Sequence, residues 1–330
     1  MMETQLFQKV YGCLLGGLIG DAMGAPVEGK PYQYIEEHHG EVNDFEGAGT
    51  DDSAIKLILS QAIIENGGYV TADEFAESFL KNRDKYDLFY IPVRNMFHKI
   101  ECKLSLPVYA GIGNMQSSSS AMSISPMGLI NACNPRQAAI ETFDVAGLIH
   151  AGDSTFCRDG ACAMAAAVAE AMKPGATVEA VLEASTDYLH KTSSAVMIKS
   201  IKGTLDLAKS VGEYKKFREN FYKTNLREVI SDSRETVPCA LAFFFLAQGD
   251  PVKAIIYGAN FGRDADTIAT MAGALAGAFK GVNGLKQEWI EKVTKNNTEQ
   301  AELAAKIVEI THKRVEQFKN NLKLYDLLYF

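Results

Sequence analysis

The stretch GCLLGGLIGDAMGAPVE, residues 12–28, decides what kind of fold this sequence can form. Its glycines Gly12, Gly16, Gly20 and Gly24 recur every four residues among apolar neighbours, so on a helix they share one face. Glycine inside a helix costs about 0.5–1 kcal/mol relative to alanine, and four of them therefore need a packing reason. We expect a central helix packed closely against another backbone. The alternative is that the segment is partly loop.

A second glycine series, Gly273, Gly277 and Gly281, has the same spacing near the other end of the chain. It also lies in an alanine-rich apolar segment, and it presents a smooth face along which another backbone can pack. An acidic motif lies close to each glycine series in the sequence. The two faces therefore place the centre of the molecule beside those acidic motifs.

Composition indicates a globular, mostly helical protein. The 330 residues are 47% apolar and 22% charged, with nine prolines and a mean hydropathy of -0.06. Strict apolar alternation is almost absent, and no repeat or linker divides the chain. We therefore predict an all-α fold, one compact domain over residues 1–330. Caps and periodicity predict helices over residues 4–20, 51–66, 72–82, 135–150, 160–172, 178–191, 195–209, 236–248, 252–259, 266–280, 285–293 and 298–320.

Charge and cysteine usage bound the partners and the compartment. The net charge is -8, and lysine and arginine form no basic stripe, so we exclude nucleic acid as a partner. Six cysteines without a CxxC pair indicate buried thiols in a reducing compartment. The apolar run 10–20 is short, and no cleavage pattern follows it. We expect a cytoplasmic protein with no membrane partner.

The last nine residues, LKLYDLLYF at 322–330, are too apolar for a free terminus. They either dock onto their own domain or form a subunit contact, so an oligomer through this apolar tail is possible.

Two short motifs carry most of the acidic chemistry: Thr50-Asp51-Asp52-Ser53, and Gly262-Arg263-Asp264-Ala265-Asp266-Thr267. Each stands at the predicted start of an apolar helix, where a single such residue would suffice as an N-cap. Two carboxylates about 5 Å apart repel by about 3 kcal/mol at an effective dielectric near 20, so four of them together require cations. Carboxylate and hydroxyl oxygens favour Mg²⁺, Mn²⁺ or Ca²⁺ over zinc. The motifs predict a site for two metal ions; the alternative is ordinary helix capping.

Together with the segment Gly16 to Glu28, the two motifs resemble the ADP-ribosylglycohydrolase family, also called the dinitrogenase-reductase-activating glycohydrolase family. The resemblance runs from about residue 8 to 282. It implies an all-α fold with a central binuclear Mg²⁺ or Mn²⁺ cleft. It also implies hydrolysis of the N- or O-glycosidic bond that links ADP-ribose to a protein side chain or a small acceptor.

The resemblance also implies roles for individual residues. The two metal ions would be held by Thr50, Asp51, Asp52, Asp264, Asp266 and Thr267. The catalytic residues would be Glu28, Asp51 and Asp52, with Glu28 as the acid or base that moves the proton. The substrate would be bound by a phosphate loop and a histidine, comprising Gly113, Asn114, Ser118, Ser119, Ser120, Met122 and His150.

One departure from the family pattern leaves the substrate open. Many relatives have an arginine directly after the methionine of the phosphate loop, where this chain has Ser123, and a guanidinium is a common partner of phosphate oxygens. A nucleoside or another small glycoside without a diphosphate is therefore an alternative substrate. A structural relative without catalysis is the non-enzymatic alternative. Asp21, inside the glycine helix, is expected to bond neighbouring backbone or the acidic cluster rather than to perform chemistry.

Overall fold

Helices supply nearly all of the regular structure in the computed structural model, which describes residues 4–296 and 300–329. In chain order they are α1 Gln5–Gly24, α2 Tyr32–His38, α3 Asp51–Glu65, α4 Ala72–Lys81, α5 Ile91–Glu101, α6 Pro107–Ala110, α7 Ser125–Ile130, α8 Pro135–Gly147, α9 Thr155–Ala171, α10 Val178–Asp187, α11 Ala195–Val211, α12 Tyr214–Thr224, α13 Ser233–Leu246, α14 Pro251–Ala259, α15 Ala265–Lys280, α16 Gln287–Asn296 and α17 Gln300–Asp326. Over the described residues no β-strand forms, and pairing is limited to two isolated bridges. The all-α prediction is confirmed.

The centre of the molecule is the packing of α1 against α15. A Cβ atom added at Gly12 would lie 2.6 Å from the carbonyl oxygen of Gly277, and one at Gly16 would lie 2.8 Å from the carbonyl carbon of Gly273. Real side chains do not tolerate such distances, so glycine is what lets the two backbones approach. The packed-helix prediction is confirmed, and the partly-loop alternative is wrong.

Helix α1 is buried along most of its length. The segment Gln5–Val27, with a mean hydropathy of 1.3, is long and apolar enough to cross a membrane by length and composition. However, 83% of its apolar 18-residue stretch is buried inside the fold. Lys9, near its start, is also buried and donates to the carbonyl oxygens of Ala171 at 2.7 Å, Ala278 at 3.0 Å and Phe279 at 2.8 Å. Its ammonium therefore satisfies the C-terminal ends of α9 and α15.

The predicted helix list omitted several elements. Helices α2, α5, α6, α7 and α12 were not among the predicted ranges. Helix α12 shows why, since Tyr214, Phe217 and Phe221 bury their rings on one narrow stripe of an otherwise charged segment. With so few apolar residues, the helix is stabilised by the tertiary packing of this stripe. Residues 298 and 299 of the last predicted helix, and residues 1–3 of the predicted domain, lie outside the described residues.

Two smaller expectations need correction. Four of the six cysteines are buried, but Cys102 and Cys133 are exposed. The end of α17 does not pack onto its own domain: Leu322 is 60% exposed and Leu328 is 81% exposed. The intramolecular docking alternative is therefore wrong for the described part of the tail, and Phe330 lies outside it.

Candidate metal and substrate site

The two acidic motifs meet at a cleft where α3 and α15 begin. Thr50 and Asp264 occupy the N-cap positions, yet neither side chain caps its own helix. The Asp264 carboxylate instead accepts a hydrogen bond from the Ser118 hydroxyl at 2.8 Å, and the Thr267 hydroxyl donates to Asp52 at 3.2 Å. Ordinary capping by these two side chains is thus wrong as an explanation of the motifs.

Asp21 in α1 holds the first motif in place. Its buried carboxylate accepts hydrogen bonds from the Thr50 amide at 2.9 Å and the Thr50 hydroxyl at 2.8 Å, and from the Ser53 amide at 3.0 Å and the Ser53 hydroxyl at 2.5 Å. A carboxylate from a distant helix therefore satisfies the start of α3. The expectation that Asp21 bonds neighbouring groups is confirmed, and its partners are the first acidic motif.

Two glycines permit the close approach of the motifs to α1. A Cβ atom at Gly24 would lie 2.5 Å from the carbonyl carbon of Ala265, and one at Gly49 would lie 2.5 Å from a carboxylate oxygen of Asp21. The start of α15 thus rests directly on the end of α1, while the loop before α3 closes over Asp21. The glycine helix is the common support of both acidic motifs.

The cleft itself is small and strongly acidic. Its volume is about 80 Å³, which is room for ions and a few waters. Glu28, Asp264 and Asp266 each place a carboxylate oxygen within 4.8 Å of the others. The lining residues are Glu28, Asp51, Asp52, Tyr90, Ser118, Ser119, Met122, Ile230, Ser231, Asp264, Asp266 and Thr267. Of the predicted metal ligands, Thr50 is not among them.

Crowding shifts the protonation of these carboxylates. Burial, with added repulsion from neighbouring carboxylates, raises the pKa of Asp51 to about 6 and of Asp264 to about 8. The same two causes raise the pKa of Asp52 and Asp266 well above the usual aspartate range, and also raise the pKa of Glu28. In the absence of a cation, the environment disfavours the ionised form of these groups, most strongly at Asp52, Asp264 and Asp266.

The donor set fits a divalent cation. One carboxylate oxygen of Asp52 and one of Asp266 are buried and have no hydrogen-bond partner among the described residues, although buried acceptors are normally satisfied. Oxygen donors of this kind, from carboxylates and hydroxyls, suit hard cations such as Mg²⁺, Mn²⁺ or Ca²⁺. The residues that would hold the ions are Asp51, Asp52, Asp264, Asp266 and Thr267, with Glu28 at the edge.

A buried lysine behind the acidic cluster was not singled out by the sequence. Lys56 of α3 is 4% exposed, and its ammonium has no hydrogen-bond partner in the part of the chain that the structure describes. Burial lowers its pKa, while the negative charge of Asp21 opposes that shift. Gly17 makes room for this side chain, because a Cβ there would collide with the ammonium.

The serine-rich loop forms one wall of the cleft. Ser118, Ser119 and Met122 line the cleft, as the prediction of a substrate-binding loop requires. Ser120 lies behind them, and its hydroxyl lies 2.8 Å from Nδ1 of His150.

The remaining predicted substrate residues do not line the cleft. The His150 ring is fully buried, and burial lowers its pKa to about 4, so it is neutral and supports the loop through Ser120 and the Met115 carbonyl. Asn114 is buried and donates to the carbonyl oxygens of Pro92 and Ile149. Gly113 faces open space. Direct substrate contact by Gly113, Asn114, Ser120 and His150 therefore stays a prediction without support in this geometry.

Three lining residues were missed by sequence reasoning. The Tyr90 amide donates to Asp51 at 3.2 Å, while Ile230 and Ser231 form another wall of the cleft, next to the serine loop, where the Ser233 hydroxyl donates to the Ser117 carbonyl oxygen at 2.5 Å. Ser231 is 6% exposed, and its hydroxyl has no partner among the described residues. Neither segment has a distinctive residue pattern, and only the fold brings them to the cleft.

Comparison with known proteins gives one consistent result. The family model for ADP-ribosylglycohydrolase matches residues 2–317. ADP-ribosylhydrolase ARH3 of Bos taurus is 26% identical, covering 85% of this chain and 87% of its own. The ADP-ribosyl-(dinitrogen reductase) glycohydrolase of Rhodospirillum rubrum is 26% identical, covering 89% and 92%. A solved ADP-ribosylglycohydrolase-related protein complex superposes with a TM-score of 0.71 at 21% identity, over 93% of this chain and 99% of that chain. That likeness shows the fold alone.

Proposed function

Because the chain belongs to the ADP-ribosylglycohydrolase family, we propose that it is a divalent-metal-dependent hydrolase of the bond between C1 of a ribose and a nitrogen or oxygen atom. Its substrate is an ADP-ribosylated protein or a small ADP-ribosyl molecule. One observation carries the proposal: carboxylates from two helix starts converge in one cleft, with unpartnered oxygens on Asp52 and Asp266.

The cofactor of this proposal is a pair of Mg²⁺ or Mn²⁺ ions. When bound, such ions polarise ribose hydroxyls and an adjacent water. Asp51, Asp52, Asp264 and Asp266 hold them and fix their position relative to α3 and α15. Thr50 is the weakest member of the predicted set, because it is not among the residues that line the cleft.

In this proposal Glu28 moves the proton. Its carboxylate lies in the cleft within 4.8 Å of Asp264 and Asp266, and no ion pair with Lys30 forms among the described residues. Water attacks C1, the bond from C1 to the leaving nitrogen or oxygen breaks, and a new C1–oxygen bond forms. Glu28 accepts a proton from the water and delivers it to the leaving nitrogen or oxygen, which regenerates the carboxylate.

The names of two relatives support the substrate class. One is an ADP-ribosylhydrolase and the other a glycohydrolase of ADP-ribosyl-dinitrogen reductase. The Ser119 hydroxyl in the cleft lining is consistent with a donor to phosphate oxygens, whereas the Ser118 hydroxyl already donates to Asp264. Ser123, where many relatives have arginine, is 1% exposed and lies outside the lining.

A second candidate function has its own observation. The described lining of the cleft contains no lysine or arginine, which suits a nucleoside or another small glycoside without a diphosphate. The two candidates differ in whether phosphate contributes to binding.

A substrate panel separates these functions. Purified protein with Mg²⁺ is incubated with ADP-ribosylated proteins, ADP-ribosyl small molecules and nucleosides, and the products are followed by mass spectrometry. We expect release of ADP-ribose by the wild type and none by Asp266→Asn, which removes a charge without changing side-chain size. Release of ribose from nucleosides alone would support the second candidate. No turnover of any substrate would favour a structural relative.

We also propose that the tail mediates self-association and that the protein is cytoplasmic. Val315, Phe318, Leu322 and Tyr325 form one exposed stripe on α17 with the 3- and 4-residue spacing of a paired-helix seam. The stripe continues the face that α17 buries in its own domain, where Thr311 is 4% exposed. A second copy of this chain is the occupant, because the stripe is flanked by opposite charges, Lys319 and Asp326, that suit pairing with itself.

The cytoplasmic proposal rests on the six unpaired cysteines.

A further inference from the structure

Arg263 adopts a backbone conformation that few residues other than glycine take. Its φ is +62°, in the left-handed region, where a Cβ atom is unfavourable. It stands between Gly262, whose φ is +76°, and the cleft residue Asp264. A glycine at position 263 would remove the strain, so the arginine side chain must contribute something that offsets it.

The side chain of Arg263 holds the wall that carries Ile230 and Ser231. Its Nε donates to Oε1 of Glu235 at 2.8 Å, and its Nη2 donates to Oε2 of the same residue at 2.9 Å. Nη2 also donates to the carbonyl oxygen of Arg227 at 2.5 Å, while the Arg227 amide donates to Glu235 at 2.7 Å. Glu235 is fully buried. A bidentate ion pair thus fixes the segment that leads into the wall.

The backbone of Arg263 holds the loop that follows Glu28. Its amide donates to the carbonyl oxygen of Lys30 at 2.8 Å, and its carbonyl oxygen accepts from the Gly29 amide at 2.7 Å. Pro31 and Gly262 form an isolated bridge beside these bonds. Glu28, the proposed proton-transfer residue, directly precedes this pair of hydrogen bonds.

We propose that Arg263 is a positioning residue that fixes two walls of the cleft, the Glu28 loop and the segment of Ile230 and Ser231, relative to Asp264. Its backbone fixes the loop of Glu28, and its side chain fixes the wall of Ile230 and Ser231 through Glu235. Its effect on substrate binding rests on the proposed function, whereas its effect on the two walls does not. Glycine at position 263 would keep the backbone hydrogen bonds to the Glu28 loop but remove the side-chain bonds that hold the segment of Ile230 and Ser231. The two contributions of Arg263 can therefore be tested separately.

The experiment compares wild type with Arg263→Gly, Arg263→Lys and Glu235→Gln. Hydrogen–deuterium exchange measured peptide by peptide follows the two walls, and calorimetry with ADP-ribose and with Mn²⁺ follows the site. Glu141→Gln is the matched control, because it weakens the ion pair of the buried Arg314, which lies outside the cleft lining.

In Arg263→Gly we expect faster exchange in the peptide covering 227–232 and at least tenfold weaker ADP-ribose binding, with Mn²⁺ affinity within about threefold of wild type. Arg263→Lys should restore part of the exchange protection at 227–232 and part of the ADP-ribose affinity, since a lysine keeps the charge but not the bidentate geometry. Glu141→Gln should lower stability without changing either readout. Unchanged exchange at 227–232 in Arg263→Gly would overturn the proposal. If wild type fails to bind ADP-ribose, the proposed function fails, and the exchange data alone decide the role of Arg263.

Discussion

At the scale of single residues, Asp21 shows how a side chain outside the cleft determines the geometry inside it. Its carboxylate forms no hydrogen bond with a described lining residue of the cleft, yet it accepts hydrogen bonds from the amides and hydroxyls of Thr50 and Ser53. Asp51 and Asp52 stand between those two anchors. Their positions therefore depend on α1, a separate helix that begins at Gln5.

Asp21→Asn should disturb the metal site without removing a metal ligand. The amide keeps one acceptor but turns an NH₂ group toward donors, and hydrogen bonds to charged groups are worth about 1.5–3 kcal/mol. We expect a loss of that size in the free energy of unfolding together with weaker Mn²⁺ binding, measured by denaturation and calorimetry. Asp159→Asn is the control, since Asp159 is also buried and bonded to Ser194. It should lower stability alone, and equal loss of Mn²⁺ affinity in both variants would contradict the account.

The raised carboxylate pKa values make cation binding depend on pH. In the folded chain the pKa of Asp264 is about 8 and that of Asp51 about 6, against 3.8 for an ordinary aspartate. Protonation of these groups therefore stabilises the metal-free fold at low pH, and that contribution is lost as pH rises through about 6 and then about 8. A divalent cation binds the ionised form and compensates for this loss.

The increase in melting temperature caused by Mg²⁺ should therefore grow between about pH 5.5 and 8.5, the range in which these carboxylates ionise. Taking the difference between Mg²⁺ and EDTA at each pH cancels groups outside the site, such as His150. A Mg²⁺ effect that is constant or shrinks over this range would be inconsistent with metal binding by these aspartates.

At the scale of elements, the contact of α1 with α15 is the part of the fold that sequence reasoning predicted best. Glycines four residues apart lie on one face of a helix, so their spacing alone predicted close helix packing before the partner helix was known. The same reasoning missed α12, because its three buried rings are few among charged and polar residues. It also missed α2 and α5, which pack as short or proline-initiated helices.

Gly16→Ala tests the close contact of these helices. A Cβ there meets the Gly273 backbone, which cannot move aside as a flexible side chain would. Overpacking of this kind costs about 1–3 kcal/mol, and we expect that loss in the free energy of unfolding by urea. Gly203→Ala in α11 is the matched control, because nothing lies within 4 Å of its added methyl. It should raise stability by about 0.4–1 kcal/mol. If Gly16→Ala left the free energy of unfolding unchanged, α1 and α15 would not be packed this closely.

At the scale of the whole molecule, the family resemblance ends where the exposed tail begins. The family model stops at residue 317, and beyond it Leu322 and Tyr325 are more than half exposed. We expect self-association of the full chain, visible as a sedimentation coefficient that rises with concentration. Leu322→Glu with Tyr325→Glu should give a monomer, whereas Asn320→Glu on the opposite side of α17 should not. A wild-type chain that stays monomeric at every concentration would refute the tail interface.

The candidate site was predictable only in part, because some of its lining residues reach the cleft only through the packing of the whole molecule. The acidic motifs, Glu28 and the serine loop are compact patterns whose chemistry is visible in the residue types. Ser231 and Tyr90 belong to segments of ordinary composition and reach the cleft through tertiary packing. His150 lies behind the serine loop and outside the cleft lining, so its predicted contact with substrate stays a prediction.

The central claim is that this acidic cleft uses divalent cations and Glu28 to break a ribosyl C1 bond. The most direct test is the rate of ADP-ribose release from an ADP-ribosylated protein, measured with Mg²⁺ at saturation and after exchange into EDTA, for wild type and Glu28→Gln. We predict release by wild type that stops in EDTA and returns with Mg²⁺, and a rate lower by about 10²–10⁴-fold in Glu28→Gln at saturating Mg²⁺. Release that persists in EDTA, or an unaltered rate in Glu28→Gln, would contradict the account.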